Sequence, residues 1–290
     1  MKSIGIIGSD STHTENFAGI LNRDVAVSSL RATKLWGADP VQAREKAAMA
    51  EIPTVVERPE DAMDGVDAVM VLNRWGVDHF EPARLALERG LPLFVDKPMT
   101  DDPDQAVELT RAATQAGVGF MSASALRYDH NLLELGQTLE SMGPLRGLSF
   151  ALPNDWVLYG VHAVDVLHAL LGSGVRDVTS VRDEQNDLVI LRWSGGRFGI
   201  VTQMRESLRI MQCTGYTARG WAAAEASPAD EEGGYPRYYV DTVRVFERML
   251  QSAEWPIDAV EMVDVIRVFA AVDIAAREGR TVELREIPAL

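Results

Sequence analysis

The residues of this chain equipped for chemistry fall in a few short stretches. Lys97 stands in VDKPMT, residues 95–100, with Asp96 before it and Pro98 after it. A lysine whose backbone is restrained by a following proline is placed for proton transfer when it ends a strand at the ligand-binding edge of an open sheet. GVHAVDVLHALLG, residues 160–172, puts His162 and Asp165 at i, i+3, on one face of a helix. His168 lies about two-thirds of a turn from His162, so the three do not converge, and no metal site is expected. His79, in WGVDHF, opens a helix after an apolar strand.

GIIGSDSTHTENF, residues 5–17, runs from an apolar strand through a polar turn into a helix. A dinucleotide-binding turn reads G-x-G-x-x-G, its second glycine admitting the diphosphate and its third letting helix and strand pack closely. Here only Gly8 is kept, and Asp10 and His13 replace the other two. The helix start still offers free N–H groups and a positive dipole, and Ser9, Ser11 and Thr12 add hydroxyl donors. Thr12 and Glu15 also fit a capping box. Asp10 opposes two phosphate charges unless it turns outward or pairs with a base. Asp39, in LWGADP, stands where an acid can accept from an adenosine ribose and repel a 2′-phosphate, or can simply cap a helix before Pro40.

The elements that must position these residues follow from periodicity. The first 120 residues alternate strand and helix: strand 4–7, helix 12–22, strand 31–37, helix 40–50, strand 67–72, helix 79–89, strand 91–96, helix 103–116 and strand 118–121. This order predicts a Rossmann-type, doubly wound parallel sheet. Beyond residue 122 the rhythm changes. Helix 129–142, strand 146–152 and helix 161–171 precede strands 175–182, 187–193, 197–204 and 207–214, with no helices between those four. The second half is therefore expected to be α+β on a mainly antiparallel open sheet. AAAEASPADEEGG, residues 222–234, reads as a mobile surface loop, and helices 236–251 and 258–278 close the chain, the last capped by Asp258. The predicted domains are 1–122, dinucleotide-binding, and 123–290, for substrate binding and oligomerisation.

Composition narrows the partners. A formal net charge of −15 argues against nucleic acid and anionic membranes. One cysteine, Cys213, excludes an internal disulfide and a cysteine-rich metal site. No apolar run approaches the ~20 residues that span a bilayer, and MKSIGIIG reads as a buried strand, not a secretory signal. A cytoplasmic protein is expected.

In sequence, the glycine turn, ADP, the apolar strand with a downstream histidine, DKP, G-x-H-x-x-D with LLG, and SALRYDHNL resemble the Gfo/Idh/MocA oxidoreductases over nearly the whole chain. That resemblance implies a Rossmann domain followed by an α+β domain whose open sheet joins subunits into a dimer or tetramer. It implies NAD or NADP as cofactor and a sugar, cyclitol or related polyol as substrate. Asp39 favours NAD over NADP. Lys97 matches the lysine of the family's E-K-P motif, with Asp96 for the glutamate. His162, Gly160 and Asp165 match D-x-G-x-H-x-x-D, while Leu158 takes the place of its leading acid. Asn73 and Arg74 occupy the turn beside the nicotinamide ribose. The implied cofactor contacts are Gly8, Ser9, Asp10, Ser11, Thr12, His13, Asp39, Asn73, Arg74, His79, Asp96 and Lys97. Lys97 would exchange the proton of the reacting hydroxyl, His162 would bond or relay it, and Asp165 would orient the imidazole. Arg127, Trp156, Tyr159 and His162 would line the substrate pocket. Two alternatives stay open: a binding or regulatory protein that kept the fold without turnover, and an NAD-dependent lyase or glycosidase working by transient oxidation.

Overall fold

The computed structural model describes residues 1–23, 28–206, 210–227 and 234–290. The chain divides into two compact units, one of Met1–Ala123 with Ala229–Asp258 and one of Ser124–Pro228 with Ala259–Leu290.

The first unit alternates β1 (Lys2–Ile7), α1 (Thr12–Arg23), β2 (Leu30–Trp36), α2 (Pro40–Met49), β3 (Thr54–Val55), β4 (Ala68–Val71), α3 (Phe80–Glu88), β5 (Leu93–Asp96), α4 (Pro103–Ala116) and β6 (Phe120–Ala123). Its six strands are parallel in the order β3-β2-β1-β4-β5-β6. Strands buried on both faces become continuous apolar runs, and Ile4, Ile6, Val69, Met70 and Phe94 are fully buried accordingly. The chain steps from β1 outward to β3, then returns to the other side at β4. The carboxyl ends of β1 and β4 thus flank the switch point where open α/β sheets take ligands. The two-residue strand β3 carried no alternation long enough to read in the sequence.

The second unit begins with α5 (His130–Ser141), β7 (Leu145–Pro153) and α6 (Val161–Leu171), a π-turn at Trp156–Gly160 leading into α6. β8 (Val175–Arg182), β9 (Asn186–Trp193), β10 (Phe198–Met204), β11 (Gln212–Thr217) and β12 (Trp221–Glu225) follow. α7 (Arg237–Ser252) returns to the first unit, and α8 (Ala259–Glu278) and β13 (Val282–Glu283) complete the second. Its seven strands order as β12-β11-β7-β10-β9-β8-β13. All neighbours are antiparallel except β7 and β10. One face is buried. The other exposes Val181, Leu188, Ile190, Tyr216 and Trp221, the last at 67%.

Two expectations change. Residues 222–225 are part of an edge strand and not loop, the strand pairing with β11 from Gln212↔Glu225 to Tyr216↔Trp221; a run of alanines hides a period of two. The rest of that segment, 228–233, lies outside the described residues, as do 207–209 of the strand expected over 207–214. The chain is also not cut once near 122, because α7 packs in the first unit. Tyr239 meets Phe17 edge-on at 5.0 Å, Phe246 meets Phe94 at 6.1 Å, and the Tyr235 ring fills the space over Gly19. No helix among the described residues is long and apolar enough to cross a membrane.

Candidate functional site

In the turn after β1, Gly8 has φ +109°, and a Cβ on it would overlap the backbone of Asn73, so only glycine lets β1 and β4 approach there. The buried Thr14 hydroxyl donates to Gly8 O at 2.9 Å, fastening the first turn of α1 to that glycine. Sequence reading passed over Thr14; its one signal was a hydroxyl inside the first helical turn. The Asp10 carboxylate accepts the Arg74 N–H at 3.1 Å, while Arg74 Nε donates to Asp10 O at 3.1 Å. The acid that replaces the second glycine thus ties the β1 turn to the β4 turn.

The hydroxyls divide differently from the expectation. Ser9 is buried, faces Gly37 and bonds Gln42 at 3.3 Å, so it is no phosphate donor. Ser11 accepts the His13 N–H at 3.1 Å and caps α1; Thr12, already inside the helix, is exposed. The capping box does not form, because Glu15 pairs instead with Lys46. Asp39 Oδ1 accepts from the N–H groups of Val41 at 2.8 Å and Gln42 at 3.3 Å, capping α2 from an exposed position.

Asp96 ends β5 and is buried. His13 Nδ1 donates to its Oδ2 at 2.5 Å. Burial pushes the Asp96 carboxyl up, but the charge and hydrogen bond of His13 prevail, and it falls to about 2. Lys97, next in the chain, is half-buried, and no hydrogen bond or ion pair holds its ammonium among the described residues. His79 is not the cofactor ligand that sequence suggested. It is fully buried, with Nδ1 at 2.7 Å from Pro98 O and Nε2 at 2.8 Å from Asn73 O, so both nitrogens are spent on backbone. It clamps the turn after β4 to the turn after β5.

Two buried acceptors at these strand ends lack partners, Asn73 Oδ1 and Asp96 Oδ1. A buried acceptor without a protein partner needs a donor, from water or from a ligand. A dinucleotide brings ribose hydroxyls and a carboxamide. With the close approach at Gly8 and Asp10 already bonded to Arg74 N–H, the residues at the switch point fit such a group.

In the second unit, Ser124 caps a short 3₁₀ turn, Ala125–Tyr128, accepting the Leu126 N–H at 3.1 Å, and its Oγ lies 2.6 Å from His162 Nδ1. Asp165 does not take that position. Its Oδ2 accepts the Ser124 N–H at 2.6 Å and its Oδ1 accepts from Arg127 at 2.9 Å. The group set against the imidazole is thus Ser124, which the sequence reading missed, with Asp165 one step behind it. Burial raises the Asp165 carboxyl above its ordinary value, and Arg127 opposes that shift. Arg127 also donates to Glu261, so its guanidinium serves two carboxylates and is not a free substrate contact. Trp156 is a core residue: it is buried, stacks on Phe269 at 5.7 Å and donates Nε1–H to Phe269 O at 3.2 Å. Tyr159 is half-buried with its ring 5.1 Å from that of His162. Leu158 gives its N–H to Asp155 at 3.0 Å.

Residues 2–124 match the family described as an oxidoreductase family with an NAD-binding Rossmann fold. An inositol 2-dehydrogenase of Rhodococcus erythropolis is 30% identical over 205 residues, 64% of this chain and 56% of that protein. Another, from Streptomyces avermitilis, is 34% identical over 127 residues, 41% of this chain and 35% of its own. The chain thus spans about half or less of the length of these two relatives. Among solved structures, a probable dehydrogenase of Thermotoga maritima superposes with TM-score 0.84 at 17% identity, covering 99% of this chain and 100% of the other. The scyllo-inositol dehydrogenase of Lactobacillus casei, with bound NAD(H) and scyllo-inositol, gives TM-score 0.85 at 14% identity, covering 98% and 99%. At such identities these likenesses establish the fold.

Proposed function

We propose that this chain, whose residues 2–124 match an oxidoreductase family with an NAD-binding Rossmann fold, is an oxidoreductase of the Gfo/Idh/MocA type that oxidises or reduces a hydroxyl-bearing carbon of a cyclitol or related polyol with NAD. The observation that carries the reading is the switch point: a glycine-dependent approach of β1 to β4, beside two buried acceptors awaiting donors. The inositol dehydrogenases among the relatives support the substrate class.

Gly8 and the first turn of α1 would hold the diphosphate, and Asn73 and Asp96 would accept from the nicotinamide half. Bound NAD supplies the hydride acceptor or donor. Lys97 takes or gives the hydroxyl proton, and a half-buried ammonium that no hydrogen bond or ion pair ties down among the described residues suits that work. His162, with Nδ1 beside Ser124, is assigned a hydrogen bond to the polyol. Asp39 spends one oxygen as a helix cap yet stays exposed and acidic, which disfavours a 2′-phosphate. The apolar outer face carrying Val181, Leu188, Ile190 and Trp221 is assigned to contact with a second copy of the chain.

Calorimetry with NAD and NADP, followed by NADH absorbance against a panel of inositols and other polyols, tests this. NAD binds more tightly, and at least one cyclitol turns over. Tighter NADP binding overturns the role of Asp39, and absence of binding by either overturns the dehydrogenase reading. A product formed without net NADH points to elimination or glycoside cleavage. Light scattering checks the assembly, with a monomer at micromolar concentration as the contrary result.

A further inference from the structure

The geometry points to His13 and Asp96 as one positioning unit, an interdependent pair that joins the start of α1 to the end of β5 and thereby fixes the backbone from which Lys97 departs. The inference rests on the roles just proposed for NAD and Lys97.

His13 is the second residue of α1, and Asp96 is the last of β5. They are 83 positions apart, yet Nδ1 and Oδ2 stand at 2.5 Å with the side chains 12% and 2% exposed. The imidazole is also held edge-on by Tyr239 at 5.2 Å and Phe17 at 6.2 Å. Thr14, one position on, bonds the glycine turn. The first turn of α1 is therefore fastened to β1 on one side and to β5 on the other. Asp96 in turn is left with one oxygen taken and one, Oδ1, buried and unpaired.

The pair has a steric consequence. A dinucleotide turn of the usual kind has glycine at position 13, with no side chain to reach β5. Here an imidazole fills that gap and already touches the acid. A glutamate at 96 is one methylene longer and has no room while His13 stays. A glycine at 13 leaves the aspartate short of any partner, a buried carboxylate without its donor. Each residue therefore requires the other, and changing both is milder than changing one.

The test compares the intact protein with His13→Gly, Asp96→Glu, the double variant and His13→Gln, reading melting temperature, NAD affinity by calorimetry, and kcat and KM with a polyol that turns over. Each single change weakens NAD about tenfold and lowers the melting temperature, while the double variant recovers to within about threefold. His13→Gln, which keeps an N–H donor, loses less than His13→Gly. Recovery in the double variant cannot come from helix propensity, because it carries the same glycine. Losses that add in both readouts overturn the pairing. A melting temperature that recovers while NAD affinity and kcat do not reduces the pair to a structural contact and overturns its positioning role. If the intact protein binds no NAD, the cofactor reading and the positioning role fail together, and the melting temperatures alone decide whether the two residues are coupled.

Discussion

The cluster at the switch point and the cluster on α6 are built on opposite plans. In the first, separate turns are tied together by side chains: the Asp10 carboxylate to the Arg74 N–H, His13 to Asp96, and His79 to the carbonyls of Asn73 and Pro98. It still leaves Asn73 Oδ1 and Asp96 Oδ1 unpaired in buried positions. In the second, α6 and one 3₁₀ turn meet with Glu261 of α8 holding Arg127 from behind, and both Asp165 oxygens are satisfied, by Ser124 N–H and by Arg127. An incomplete cluster is stabilised by what binds it; a saturated one stabilises the fold. Substitutions in the two regions should therefore register on different instruments.

The largest effect belongs to the saturated cluster. Asp165→Ala leaves Arg127 buried with half its countercharge and frees the Ser124 N–H, which costs about 3 kcal/mol of stability. Urea unfolding measures it, and a loss below about 1 kcal/mol would show that the cluster is not what holds α6 to the 3₁₀ turn. Lys97→Ala is the counterpart in the incomplete cluster. Its ammonium has no hydrogen-bond or ion-pair partner among the described residues, so unfolding changes little, whereas kcat with a polyol substrate falls about 100-fold. NAD affinity stays within about threefold, since the diphosphate would be held elsewhere. A folded Lys97→Ala protein with undiminished kcat removes Lys97 from the chemistry and erases the contrast.

What could be read in advance follows the same division. The alternation of apolar strands and helices located Lys97 at a strand end and put His162 and Asp165 on one helix face, because those are local periodicities. Partnerships are not local. His13 and Asp96 are 83 residues apart and Ser124 and His162 are 38 apart, so nothing in either stretch names the other. Residue type also misled. Trp156 and Arg127 resemble pocket residues by chemistry, yet one is stacked in the core on Phe269 and the other is spent on Asp165 and Glu261. The alanines of β12 conceal a strand because a methyl group is nearly silent on the distinction between faces.

Acid sharpens the comparison with a smaller effect. Asp96 has a folded-state pKa of about 2, below the ~3.9 of an unfolded aspartate. A group depressed on folding stabilises the protein above its unfolded pKa and loses that contribution as pH falls through its folded one. About 2 kcal/mol therefore disappears between about pH 4 and pH 2. Asp165 is shifted upward by burial, so its contribution has the opposite sign and does not produce that loss. Unfolding of Asp96→Asn followed across this range should show a shallower acid limb than the intact protein, because Asp67, Asp183 and Glu286 are also held below their ordinary values and keep their share. An unchanged limb would place the acid sensitivity outside the His13–Asp96 contact.

The smallest expected effect decides whether the turns of the first cluster truly hold one another. Removing the Asp10 charge favours a diphosphate, which argues for tighter NAD binding in any neutral variant. The bond from Arg74 N–H to Asp10 Oδ1 splits the two obvious replacements. Asp10→Asn discards the charge and keeps an acceptor for that N–H, so NAD binds about threefold more tightly, the scale of one partly screened charge. Asp10→Gly discards the acceptor too and frees the turn after β4, and the gain is cancelled. The order of affinity is thus Asn first, with Gly and the native residue close together. Calorimetry at low and high salt separates the two contributions, because the charge effect shrinks with ionic strength and the tether does not. Should Asp10→Gly bind NAD more tightly than Asp10→Asn at both salt concentrations, the contact with Arg74 contributes nothing, and the switch point is a set of independent turns.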